Sequence, residues 1–217
     1  MKSWLNIIVI LFLPILAANA KVKEIMGDEQ LWLAAKIEYE ISEPLELEFA
    51  QKLRFTNNIS LLSQYITDIG AYYKFKFPLK VGLFYRLRLY PNTQRSRNEI
   101  YTNLVNKIKI SYFSFQNRLR LHIKFRDNQE TINYLRYRLN VKYNCFKAIH
   151  LFAYSEMFYR FMYIKGDRIS QGRYACGLEF PIAQSHEISF SYMYETSYNK
   201  KNQEYAHIFG VNYTFEF

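Results

Sequence analysis

The chain has 217 residues with 29 Lys and Arg against 19 Asp and Glu, a formal net charge of +10, and carries 20 Tyr and 18 Phe but only 7 Gly. Tyr and Phe favour strands over helices, and beyond the N-terminal region no apolar run reaches the roughly 20 residues that a helical membrane span needs. The excess of cations would fit nucleic-acid binding in a chain with basic tails or helical stripes. Here the cations lie inside alternating strands, which argues against that class.

Lys2 precedes a continuous apolar run from Leu5 to Ala17, and Ala18-Asn19-Ala20 supplies a small-x-small cleavage pattern. Residues 1–20 therefore read as a secretory signal peptide cleaved after Ala20. No Cys lies near this site, so a lipid anchor is not expected there. Residues 21–29 form a short N-terminal segment with three roles open to it: a strand, a segment in a lumen, or a tail.

From residue 30 to 217 the chain reads as one domain of strands about 10–14 residues long, the length a tilted membrane strand needs. They are expected near residues 30–41, 45–55, 61–75, 79–90, 99–113, 115–126, 131–143, 148–161, 168–180, 186–197 and 204–217. Alternation is clearest where Leu45, Leu47 and Phe49 face away from Glu46 and Glu48. It is equally clear where Leu119, Leu121 and Ile123 oppose Arg118, Arg120, His122 and Lys124. A helix would scatter these charges around its whole surface. Connections alternate between tight (around Pro44, Pro78, Ser114, Cys145 and Pro181–Ala183) and mostly longer and polar ones. These are Thr56–Asn58, Pro91–Asn98, Asp127–Glu130, Lys165–Asp167 and Ser197–Gln203. Short turns at one end and longer loops at the other are the asymmetry of outer-membrane barrels.

The last strand carries Phe209, Val211, Tyr213, Phe215 and Phe217 on one face, ending on an aromatic residue. Such a strand is expected to be read by the machinery that assembles outer-membrane barrels. The fold class is thus all-β: an antiparallel up-and-down transmembrane barrel. Single-chain bacterial barrels have even strand numbers, so about twelve strands are expected, with about ten as the fallback.

Several stretches together resemble the domain of unknown function 2490 family of outer-membrane barrels. They are Trp32, EFAQKLR from Glu48, DIGAYYKF from Asp68 and YRLRLY from Tyr85, followed by NRLRLHIKFR from Asn117, YLRYRLNVKY from Tyr134, YSEMFY from Tyr154 and RISQGRYACGLEF from Arg168. Phe84 stands where a Gly before Tyr85-Arg86 would be expected. The resemblance implies the fold and carries no activity.

With apolar residues facing lipid, the inward set is ionic. Inward cations on the fourth to seventh strands are Arg86, Arg88, Lys107, Lys109, Arg118, Arg120, Lys124, Arg126, Arg136, Arg138 and Lys142, with no inward acid expected among them. The acidic side is expected from Glu38, Glu40, Glu46, Glu48, Glu156, Glu179, Glu187, Glu195 and Glu216. Arg or Lys facing mid-bilayer hydrocarbon costs about 2–4 kcal/mol each, which assigns the charged face to the inside. Two readings follow: the opposed charges pair and plug the lumen, or the cations form an anion-preferring constriction. The basic wall around Arg118, Arg120, Arg136 and Arg138 is expected to pair with Glu46, Glu48 and Glu156.

Catalytic chemistry is not expected. His122 lies among cations with no nucleophile, His186 sits at a turn, and His207 falls on the apolar face. No His/Cys spacing fits zinc and no carboxylate cluster fits calcium. Cys145 and Cys176 read as two unpaired thiols. The expected protein is an outer-membrane, porin-like barrel without cofactor or metal, partnered by lipid and the assembly machinery. An outer-membrane lipid hydrolase or acyltransferase is the remote alternative.

Overall fold

The computed structural model describes residues 26–125, 132–144, 146, 148–162, 166–198 and 204–217. The strands are β1 (Met26–Ser42), β2 (Leu45–Thr56), β3 (Leu61–Lys74), β4 (Leu79–Tyr90), β5 (Arg95–Ile110) and β6 (Phe113–Lys124). They continue as β7 (Ile132–Tyr143), β8 (His150–Phe161), β9 (Arg168–Ala183), β10 (His186–Ser197) and β11 (Glu204–Glu216). Each pairs antiparallel with the next, and β1 pairs with β11 to close the barrel.

The closing seam is parallel, running from Met26 beside Glu204 to Glu38 beside Glu216. That follows from the count: an up-and-down barrel of eleven strands leaves its first and last strands pointing the same way. The twelfth strand expected from parity is not found among the described residues. Residues 26–29, assigned above to a separate N-terminal segment, are the start of β1. The signal peptide with Ala18 and Ala20, and residues 21–25, lie outside the described residues.

Two boundaries move for local reasons. Ser111 adopts φ 53°, which turns the chain at Ser111-Tyr112 rather than at Ser114. Ser114 is buried inside β6. Pro91–Thr93 form a single 3-10 turn closed by Gln94 in the left-handed region at φ 50°. Strand β5 therefore begins at Arg95, four residues earlier than the polar run implied.

Polarity is inverted relative to a water-soluble domain. Outward side chains are apolar and open, with Leu83 60% and Ile69 56% exposed, whereas inward Asp68 and Glu99 are 0% and Glu156 1% exposed. Apolar groups occupy part of the interior. Ala175, Met193, Ala206 and Ile208 pack together against Trp32 and Tyr154. Opposite, Tyr72, Phe84 and Tyr101 form a ladder, with Phe84 and Tyr101 stacked at 5.0 Å between ring centroids.

That ladder depends on two glycines. Gly70 pairs with Phe84 and Gly82 with Tyr72 across β3 and β4, so each ring lies over a residue without a side chain. A Cβ on Gly82 would meet Tyr72 Cδ1 at 2.5 Å and Phe84 Cε2 at 2.7 Å, with ring atoms that packing holds in place. Gly82→Val is expected to destabilise the folded barrel by about 1–3 kcal/mol through overpacking. The check is the urea midpoint of the refolded protein, which Thr102→Val on the outer face should leave unchanged.

Candidate functional site

Three buried carboxylates organise the lumen. Asp68 on β3 stands directly opposite Arg86 on β4. Arg86 grips it with both arms, Nε to Oδ1 at 2.5 Å and Nη2 to Oδ2 at 2.8 Å, and Lys52 Nζ adds a third contact at 2.6 Å. Glu99 on β5, opposite Arg86 on its other side, takes a hydrogen bond from Arg88 Nη2 at 3.1 Å and lies 2.9 Å from His122 Nε2.

Glu156 on β8 carries the largest load. Its oxygens lie 2.9 Å from Arg136, 3.1 Å from Arg118, 3.2 Å from Arg138 and 3.5 Å from Arg173. Strand register explains the gathering. Arg118, Arg138, Glu156, Arg173 and Glu195 form one row across β6 to β10, each opposite the next. Arg118 faces Arg138, and Arg120 faces Arg136, like charges that repel unless an acid lies between them. Arg173 also pairs with Glu195 at 2.6 Å.

Rings hold the guanidiniums flat. Arg54 lies 3.7 Å from the centre of the Trp32 ring, Arg120 3.9 Å from Tyr101, Arg138 4.1 Å from Tyr154 and Arg136 4.3 Å from Phe158. Stacking of this kind is available to Arg and poorly to Lys. Arg120 further donates from Nε to Asn103 at 2.7 Å.

Toward the end with the tight turns the pairing is local. Glu46 bridges Lys74 and Lys80, both at 3.0 Å, and Lys74 also contacts Glu40. Lys36 holds Glu38 at 2.7 Å, and Lys142 contacts Glu179 and lies 3.7 Å from Glu187. Lys107, Lys109 and Glu216 are exposed near strand ends, and Lys124 lies 4.4 Å from the centre of the Tyr134 ring. Arg126 lies outside the described residues.

The two-walled picture needs correction. Glu99 is an inward acid in the middle of the basic strands, and Asp68 is a second one on β3. Lys36, Lys52, Arg54 and Arg173 put cations on the side expected to be acidic. Of the three acids expected to pair with the basic wall, Glu156 does so, Glu46 pairs with neighbouring lysines, and Glu48 faces the cavity without an ion pair among the described residues. Glu99 shares a face with Lys107 and Lys109 in the expected strand 99–113, so period-two alternation already places it inward. Asp68 was concealed because its inward neighbours Ile66, Gly70 and Tyr72 interrupt the charge alternation.

One cavity of about 400 Å³ remains inside the barrel. Its lining runs from Trp32 and Arg54 to Glu179 and Glu187, the latter one residue into β10 from its tight turn. Nine cationic side chains border it against three acidic ones, Glu48, Glu179 and Glu187.

The histidines are engaged elsewhere. His122 meets Glu99, His150 lies 3.4 Å from Glu179, and on the outer face His186 and His207 meet the hydroxyls of Tyr213 and Tyr192. Cys176 is an exposed free thiol, and Cys145 lies outside the described residues. Among the described residues no group of His, Cys, Asp and Glu is placed to hold a metal ion.

A family model described as "Protein of unknown function (DUF2490)" matches residues 29–206, from the start of β1 into β11. The chain belongs to the DUF2490 family. Among solved structures, the NanC porin in a rhombohedral crystal form aligns at a TM-score of 0.52 with 14% identity, over 77% of this chain and 86% of that one. A chain from work on the in-meso crystallisation of membrane proteins aligns at a TM-score of 0.43 with 12% identity, over 82% of this chain and 79% of that one. At these identities the porin shares the fold, a closed β-barrel, and nothing finer. No curated protein matches the chain.

Proposed function

We propose that the protein is an integral outer-membrane barrel, delivered by the signal peptide of residues 1–20, whose lumen is closed by its own side chains and which performs no catalysis. The observation that carries the closed lumen is the burial of inward groups. Asp68, Glu99, Ile66 and Ile208 are all 0% exposed in a barrel whose described residues include no inner domain, so other lumenal side chains cover them. A water-filled channel would leave them wet. The apolar outer face, with Leu83, Ile69 and Phe190 open, supports residence in lipid.

Planar-bilayer recordings of the refolded protein test this directly. The expected result is little steady conductance; large, stable steps would defeat the closed lumen. A narrow anion path is the second reading, favoured by the cationic lining of the cavity. It would show as small conductance with anion preference, and cation preference would defeat both readings.

The series Phe209, Val211, Tyr213, Phe215 and Phe217 is proposed as the strand recognised during assembly. Phe217 donates its backbone N–H to Glu38 at 2.9 Å and packs edge-on to Tyr39, which ties this strand to β1 at the seam. Phe217→Asp is expected to leave export intact and reduce the amount of heat-modifiable barrel in the outer membrane several-fold. Wild-type membrane yield would refute the assignment.

A further inference from the structure

The cations around the cavity outnumber the carboxylates that could neutralise them. Arg118, Arg136, Arg138 and Arg173 share Glu156, and Arg173 has Glu195 as well. Arg54 and Arg120 border the same cavity, and among the described residues neither has a carboxylate within ion-pair distance. Among the described residues these six guanidiniums thus have two carboxylates within ion-pair distance, and Glu48 on the cavity wall adds a third acid that pairs with none of them. Arg136 Nε is buried with no hydrogen-bond partner among the described residues.

This surplus is held rigid. Arg54 is stacked on Trp32, Arg120 on Tyr101 and Arg138 on Tyr154, so their planar donor edges are pre-set before any ligand arrives. Guanidinium edges of this kind match the paired oxygens of carboxylate and phosphate groups. Confined like charges repel, and an anion carrying several negative charges would relieve that repulsion. The cavity of about 400 Å³ admits a small molecule and no polymer coil.

We propose that the lumenal cavity is a binding site for a small multivalent anion bearing carboxylate or phosphate groups, gripped by Arg54, Arg120 and Arg138. The site rests on the barrel lumen described above, and on the closed-lumen reading only in that the anion would be retained rather than passed.

The test is isothermal titration of the refolded full chain in detergent with citrate and with inorganic pyrophosphate, at fixed ionic strength set with chloride. The expected result is saturable one-to-one binding of at least one probe, and the probe that binds identifies the recognised group. Binding should weaken at least tenfold in Arg54→Gln and in Arg120→Gln, and stay unchanged in Arg97→Gln, which is not among the cavity-lining residues. Heat-modifiable mobility establishes that each variant is folded. Should the Arg variants fail to fold, the wild type still decides, because absence of saturable binding of both probes overturns the site. Wild-type affinity in folded Arg54→Gln and Arg120→Gln also overturns it. Binding and conductance fail separately: a silent protein that binds neither probe sinks the anion site alone, and a freely conducting protein that binds citrate sinks the closed lumen alone.

Discussion

Glu156→Gln is expected to lower the unfolding free energy of the refolded barrel by about 3–5 kcal/mol, the range for removing one partner of a buried ion pair. The carboxylate is 1% exposed and is the shared acceptor for Arg118, Arg136, Arg138 and Arg173. Without it, Arg118 would face Arg138 with no charge between them, in a confined space at the edge of the cavity. The converse change is expected to be mild. Arg138→Gln leaves Glu156 with three guanidiniums, so its cost should stay below half that of Glu156→Gln. Urea titration of both variants in the same detergent settles the comparison. Equal costs would mean that Glu156 is one contact among many and not the centre of the row.

The outer face should be as intolerant of charge as the lumen is tolerant. Leu119→Arg is expected to cost about 2–4 kcal/mol, the depth-dependent penalty for Arg on the lipid side near the midplane. Leu119 points outward near the middle of β6 and lies opposite Leu104 on β5. Ser189→Arg places the same side chain inside, bordering the cavity and directly opposite Glu179 on β9. It should cost well under half as much, because the charge gains an acidic neighbour and avoids hydrocarbon. Folding of both variants into lipid bilayers, followed by denaturant titration, measures the difference. A Ser189→Arg penalty equal to that of Leu119→Arg would overturn the assignment of inside and outside.

Several levels of this protein are written in its sequence. Period-two alternation separates Leu119 and Leu121 from Arg118 and Arg120 whatever the strand pairs with, because successive strand residues point to opposite faces. Turn signals such as Ser42-Glu43-Pro44 bound the strands, and β2, β4 and β10 begin and end within a residue of their sequence-derived limits. Membership of a barrel family is legible for the same reason: every strand carries its own pattern.

What the sequence does not determine is long-range. Whether the barrel closes with eleven strands or twelve depends on whether β1 meets β11 in parallel, a contact between chain segments more than 170 residues apart that no local pattern encodes. A single 3-10 turn at Pro91–Thr93 lets β5 begin at Arg95, so part of a polar run that reads as loop carries strand register, and only that register sets Glu99 opposite Arg86. The row from Arg118 to Glu195 is set by four successive registers between strands, and a shift of one residue in any of them would turn a lumenal charge toward lipid. Local alternation thus decides which face each residue occupies, and only the closed sheet decides which cation shares which carboxylate.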